Sequence, residues 1–469
     1  MTPSQFVNHT LFGLLWLGSG FGHAWLTAEV VGALSDADSK ATVTGLDGAV
    51  PFHVQLARFE LADRDGIWLT VENAAVDLDP AALLRGTVRV ERIAAGHILV
   101  ARAPLPATKP APPSTEPFSV PRLPVAIELG TLDVPSIDLG APLLGEPASF
   151  TLGGSASLHR GRAGASLSLV RLGAAPGQAT VKLSLDDQTL ALDLAAADGS
   201  GELLAKLDPD AGRQPLTLAL KGSGPIAAWR GRLDGTAGDG ARVGADLTLA
   251  LDHGWAGSIK GTAQIASLLA DQVKPTAGTE ISFDVAAAGP TDKPITLDHA
   301  DIRLAAGSIA AKGWFDPAKQ TVDAAATIKG DVHTLEGVAG APVQGNFQLD
   351  LGVKGAVARP TASIQFDGQG LQVGENGVSA VTAKLDLVTG TDDLVHVTGG
   401  GRFGGIKAAG APPPDALGDT LDWTVDLTSD KQGGKIQLGK ATASGAGVAF
   451  DASGRFDGEI GRASCRERV

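Results

Sequence analysis

The sequence predicts a mostly β protein: an elongated, twisted antiparallel β-sheet curled into an open hydrophobic groove, preceded by a small α+β N-terminal head. Three observations carry this. Apolar residues alternate with polar or small ones along most of the chain, the period that turns one face of a strand to apolar surroundings and the other to water. Glycine (62) and proline (27) punctuate short apolar runs throughout the 469 residues instead of collecting in one tract, as turns between many strands require. Hydrophobic residues make up 43% of the chain but aromatics only 4%, so the apolar face is aliphatic, with few large rings to fill thick sandwich cores.

Each region follows in order. Residues 1–30 read as the remnant of a membrane anchor. Met1–Thr27 carries no Asp, Glu, Lys or Arg, and Leu11–Leu26 is apolar, although Gly13, Gly18, Gly20 and Gly22 interrupt it. Residues 31–103 form the head. Alternating pieces such as Val54-Gln55-Leu56 and Trp68-Leu69-Thr70-Val71-Glu72 surround a helical turn at Pro80–Arg85, where proline's missing N–H has no partner to lose. Residues 104–124 hold Pro104, Pro106, Pro110, Pro112, Pro113, Pro117, Pro121 and Pro124, whose fixed φ disfavours helix and central strand alike, and read as a semi-rigid linker. Residues 125–459 form the β-groove body. Its strands are joined as antiparallel meanders, and short helices are expected only at Thr262–Gln272 and Asp331–Val338. Residues 460–469, IGRASCRERV, resemble a translated sequencing adapter and read as a non-native tail, leaving the chain an N-terminal fragment.

Several function classes lose support. The net charge is −14, and no Lys/Arg block offers a footprint for a nucleic-acid backbone. Cys465 is alone, so no intrachain disulfide is possible. The nine histidines are dispersed, with no i, i+4 pair to grip a metal. Gly222-Ser223-Gly224-Pro225-Ile226-Ala227 fits a dinucleotide-binding pattern only formally, because Pro225 and the lack of a following amphipathic helix favour a tight turn. Asp36-Ala37-Asp38 and Asp208-Pro209-Asp210 lack the spaced glycine and glutamate of a calcium loop, and Asp186-Asp187 reads as a hairpin turn. Trp229, Trp255, Trp314 and Trp423 read as caps on strands or seals at a groove edge. No cofactor or metal and no catalytic residue is expected, and the chain is not read as an enzyme.

More than 300 residues of one-sided strands must place their apolar face somewhere. Left open, that face far exceeds the few hundred Å² a monomer ordinarily tolerates and calls for an apolar ligand. Acyl chains fit a featureless aliphatic lining, each methylene leaving water with a gain of about 0.8 kcal/mol. The groove candidates are the inward alternates Val125, Ile127, Leu129, Val181, Leu183, Leu185, Leu190, Leu192, Leu194, Leu216, Leu218, Leu220, Phe347, Leu349, Leu351, Leu385 and Leu387. The alternative is a structural, extended β-stalk of a secreted or cell-surface protein, in which the same residues form a closed core.

Two stretches resemble a known family. Ala62-Asp63-Arg64-Asp65-Gly66-Ile67-Trp68-Leu69-Thr70-Val71-Glu72 and Pro80-Ala81-Ala82-Leu83-Leu84-Arg85-Gly86-Thr87-Val88-Arg89-Val90 are similar to the N-terminal signature of the TamB (translocation and assembly module) family, part of the AsmA-like group of bridge-like lipid transfer proteins. Gly222-Ser223-Gly224-Pro225 with Trp229, and Leu335-Glu336-Gly337-Val338-Ala339-Gly340 leading to Gly345, resemble the glycine-rich joints of its β-rich body. The resemblance covers roughly residues 30–455. It implies a periplasmic protein of a Gram-negative bacterium, tethered to the inner membrane in full length, with a β-taco groove carrying phospholipids towards the outer membrane. It also implies a link to outer-membrane protein assembly and secretion through the β-barrel partner TamA. The chain departs from the family in lacking a basic-flanked anchor and the C-terminal docking region, so partner docking is expected to lie outside this fragment.

Overall fold

Strands form wherever the sequence alternates. A computed structural model describes residues 38–105 and 125–456, apart from short gaps at 50–51, 160, 174–175, 187, 208, 210–211, 252–253, 272, 291–292, 336–341, 391, 393, 408–417 and 431–435; it also describes a few positions between 24 and 35 and the backbone of 463–468. The described residues are 73% strand and 8% helix. It divides into two units, Met1–Arg242 and Val243–Val469.

In the first unit the strands are β1 (Lys40–Asp47), β2 (His53–Asp63), β3 (Gly66–Leu78), β4 (Thr87–Val100), β5 (Ala126–Leu139), β6 (Ala148–His159), β7 (Arg162–Leu172), β8 (Gly177–Asp186), β9 (Thr189–Asp198), β10 (Leu216–Pro225) and β11 (Trp229–Ala237). Each pairs with its successor, and among the described residues β1 and β11 do not pair with each other, so the sheet is open. β12 (Ala241–Ala250) carries the unit boundary.

The second unit continues with β13 (Gly254–Gln264), β14 (Ile281–Pro290), β15 (Ile295–Leu304), β16 (Gly307–Asp316), β17 (Thr321–Asp331), β18 (Val343–Ala356), β19 (Arg359–Val373), β20 (Asn376–Thr389), β21 (Leu394–Gly404), β22 (Thr420–Asp430), β23 (Ile436–Ser444), β24 (Ala449–Phe456) and β25 (Ala463–Arg468). This too is an open antiparallel succession, its end strands β13 and β25 unpaired with each other among the described residues. The tail-like segment 463–468 thus pairs with β24 through its backbone.

The described pairings within 125–459 are antiparallel, as the meanders expected there require, but β4, before the proline-rich stretch, and β5, after it, run parallel. A parallel pair needs a crossover of a dozen residues or more, and residues 101–125 supply it. The proline-rich stretch occupies that crossover; residues 106–124 lie outside those described, as does nearly all of residues 1–30. Arg102 anchors the exit of β4. Its guanidinium donates to both carboxylate oxygens of Asp63 at 2.5 and 2.8 Å and to the Gly66 carbonyl at 3.0 Å, while the Leu105 N–H donates to Asp63 at 2.9 Å. Asp63-Arg64-Asp65-Gly66 is therefore the β2–β3 hairpin turn, with Gly66 at φ 102, clasped by the strand two places along.

Among the fully described helices none exceeds six residues. α1 (Pro80–Leu83) begins as expected, with Asp79 accepting from the Ala81 N–H at 2.8 Å. The sequence reading missed α2 (Ala141–Leu144), α3 (Glu202–Leu207) and α4 (Lys274–Ala277). Of its two expected body helices, Thr262–Gln264 completes β13 and only Ala266–Leu268 turns helically, as 3₁₀; Asp331 ends β17 and Val332–Leu335 is 3₁₀. These segments are too short for helical periodicity to build up.

The register explains why the alternation looks broken in β5. Its apolar residues fall at 127, 129, 132, 134, 137 and 139, two steps out of phase. Against β6 the register shifts between Leu129 and Leu132 and again between Val134 and Ile137. Each bulge absorbs one residue, around Gly130-Thr131 and Pro135-Ser136, and returns the next leucine, valine or isoleucine to the same face.

Few apolar side chains are enclosed. Among the described residues fifteen are buried, nine of them alanine; the others are Val134, Leu185, Leu204, Trp229, Val343 and Val381. Among the described residues no large side chain is fully buried. Most strand Leu, Ile and Val residues are half-exposed, which a closed sandwich core does not leave.

Candidate functional site

Residues directly opposed in a ladder point to the same side, so the register assembles a surface from the alternating runs. One row crosses the first unit through Val134, Leu152, Leu169, Ala179, Ala196 and Leu218. Beside it runs Leu132, Gly154, Leu167, Val181, Leu194, Leu220 and Leu233, then Leu129, Ala156, Ala165, Leu183 and Leu192, then Ile127, Leu158, Ala163, Leu185 and Leu190. The strand residues singled out from sequence in this unit therefore share one face, with Leu216 at its margin opposite Asp198. Val125 precedes β5 and is half-buried. Leu185 is buried at 3% exposure, Leu183 and Leu218 stand 36% exposed, and the rest lie between.

The second unit repeats the arrangement. Ile309, Ile328, Leu349, Phe366 and Ala383 form one row, and Ala311, Ala326, Leu351, Ile364 and Leu385 the next, with Leu387 opposite Ala362 and Val397 beyond. Phe347 lies opposite Gly330 and Gly368, its ring stacked with Phe366 at 6.1 Å between centroids.

Aromatic rings seal places where glycine would leave bare backbone. A Cβ on Gly222 or Gly231 would fall 2.1 or 2.3 Å from the Trp229 ring, so the indole lies flat across this glycine pair. Trp255 covers Gly289 and Phe347 covers Gly330 in the same way, and Trp423 faces Gly401. The Trp229 and Trp423 indole nitrogens are buried without a hydrogen-bond partner, which shows how far packing on glycine overrides polar satisfaction at these points. Trp314 instead lies on the opposite face beside Asp323 and is exposed.

One margin of the first unit's face is capped. A cleft of about 300 Å³ is lined by Leu139, Phe150, Leu169, Ala179, Ala196, Leu216 and Leu218, with Arg171, Asp198 and Glu202 at its edge. Arg171 donates to Glu202 at 2.8 Å and to the Ser200 hydroxyl at 2.8 Å. Arg213 reaches Glu146 at 2.8 Å, which holds the Glu146 carboxyl below its ordinary pKa. Glu202 raises the Arg171 pKa above its already high value. These pairs tie α3 and the segment after α2 across the ends of the strands. Their sequence separation hides them from periodicity; the one signal was Arg171 falling on the apolar parity of β7.

The opposite face is polar. Asp138 accepts from Ser149 at 2.5 Å and pairs with His97 at 2.8 Å, and both contacts, the serine's foremost, lower its pKa. Lys260 first, then His299, does the same to Asp284. In the first chain Asp138 is bonded by both neighbours and the hydroxyl does not meet the imidazole, so no nucleophile is activated there. Among the described residues no three His, Cys, Asp or Glu side chains converge on a metal position. Gly222–Pro225 completes β10 and Ile226–Ala228 turns the chain into β11, so the formal dinucleotide pattern sits in a hairpin and not at a helix N-terminus. Asp36, Ala37, Asp208, Asp210 and 336–340 lie outside the described residues. No helix among the described residues is long and apolar enough to cross a membrane. No family model, curated protein or solved structure matches the chain.

Proposed function

We propose that the chain is a non-enzymatic conduit that holds lipid acyl chains against the aliphatic face of its sheet. The observation that carries the reading is the set of Leu, Val and Ile rows left half-exposed in the open sheet, with no large apolar side chain fully enclosed among the described residues. A stalk with a dry closed core needs Leu183 and Leu218 covered, yet each keeps 36% exposure. Acyl chains supply the missing cover without any bond being made or broken.

The resemblance of Ala62–Glu72 and Pro80–Val90 to the AsmA-like lipid transfer proteins supports the narrower reading of a TamB-type phospholipid carrier. On that reading a β-taco groove works in the periplasm between inner and outer membrane, tethered to the inner membrane and partnered with TamA, and the strands of 40–100 with α1 serve as the head. The test is extraction of the purified chain for lipid mass spectrometry, together with a photoreactive residue at Leu218. Copurified phospholipid and a lipid adduct are expected. Absence of both, with only intraprotein cross-links, overturns the proposal in favour of the stalk.

A further inference from the structure

On the polar face of the first unit the charge pattern departs from the rest of the chain. Charged residues that oppose one another across strands are mostly of opposite sign, as in Lys260 with Asp284, Asp323 with Lys354 and Arg402 with Asp422. Between β10 and β11, Lys221 stands directly opposite Arg232, and Lys182 lies two strands away in the same row. Arg230 adds a fourth cation in the adjoining row, opposite Ser223. Like charges placed opposite each other destabilise a sheet. The comparable acidic pair, Asp284 opposite Asp301, has Lys260 bonded to it at 2.8 Å.

Here the compensation is partial. Asp193 stands between Lys182 and Lys221 in the row, opposite both and 3.5 Å from Lys221, and Asp234 lies 3.2 Å from Arg232, while Arg230 stands opposite Ser223. Of the charged residues that line the depression in this patch, four are cations, Lys182, Lys221, Arg230 and Arg232, and one is a carboxylate, Asp193, on a chain whose net charge is −14. The patch is concave. These side chains border a depression of about 700 Å³ with Ser184 and Ser223 in its wall and Gly222 and Gly231 in its floor. Trp229 fills the apolar side of those two glycines, so the depression opens on the polar side.

We infer that this depression is an anion site for a phosphate ester, a ligand class separate from the acyl chains of the opposite face and independent of that reading. Two guanidinium groups offer paired donors, two ammonium groups add charge, and the serine hydroxyls bond ester or sugar oxygens. A phosphate ester fits better than an acidic protein segment, because the adjoining backbone is already paired within the sheet and offers no edge.

The test uses the full chain at low ionic strength, where screening is weakest. Inorganic pyrophosphate is titrated calorimetrically, and flotation is measured with phosphatidylcholine vesicles with and without phosphatidylglycerol. Binding of either probe is expected; pyrophosphate alone points to a soluble ester, and phosphatidylglycerol alone to a lipid headgroup. The variant K182Q/R230Q, which breaks no ion pair, is expected to weaken binding tenfold or more at an unchanged urea midpoint, and K260Q to leave it unchanged. The site is overturned if neither probe binds, if K182Q/R230Q binds within twofold of the parent, or if a polyglutamate peptide or an oligonucleotide binds tenfold more tightly than both probes. Unaltered acyl cross-linking at Leu218 in K182Q/R230Q separates loss of this site from loss of the conduit.

Discussion

Replacing Leu183 and Leu218 by serine separates a ligand-binding face from a core. Both keep 36% of their surface exposed, while Leu185 on the same face keeps 3%. Fully burying a leucine is worth about 1.5–3 kcal/mol, so a ligand covering the open third of each gains about 0.5–1 kcal/mol per residue. L183S/L218S then loses about 1–2 kcal/mol of acyl affinity, a weakening of roughly five- to thirtyfold. Its folding cost is larger, about 1–2 kcal/mol per residue, because two-thirds of each side chain is already covered. Leu185→Ala behaves oppositely: removing a buried leucine costs about 2–5 kcal/mol of stability, whereas the ligand loses almost no contact. The assay is titration with a fluorescent acyl probe alongside urea unfolding of each variant. The expected result is that the two variants lose stability on the same scale while only L183S/L218S loses acyl affinity. If Leu185→Ala weakens the probe as much as L183S/L218S or more, so that binding follows stability, the face is a core and the reasoning fails.

Two further outcomes follow from packing and charge. Gly222→Val or Gly231→Val drives a side chain into the Trp229 ring and is expected to cost about 1–3 kcal/mol with a red shift in tryptophan emission, while Gly153→Ala, whose Cβ finds its nearest neighbour at 3.8 Å, is tolerated; equal urea midpoints for all three contradict the seal. Arg102 holds the Asp63 carboxyl far below the ordinary value of about 3.9, so its contribution is complete above that value and is lost as pH falls through it towards the folded pKa; Asp63→Asn is expected to flatten the loss of stability between about pH 5 and pH 3, and an unchanged slope in urea midpoints excludes the clasp as its source.

The alternation in runs such as Val181–Leu185 and Leu216–Leu220 is enough to identify strands and the residues that share a side of each, because successive side chains in a strand must point to opposite faces. Proline at Pro80 and Asp65-Gly66 of the β2–β3 hairpin are legible for equally local reasons. How strands meet is not local. The two bulges of β5, the parallel crossover from β4, the clamp from Arg171 to Glu202 and the cations gathered around Lys221 all depend on which residue stands opposite which, and a one-residue slip exchanges the two faces. Nor does a periodic pattern state whether a second layer lies over it, since an apolar stripe reads the same against protein or against lipid. Composition and period determined the strands and their greasy side; the register, and the exposure that Leu183 and Leu218 keep among the described residues, only the paired sheet decided.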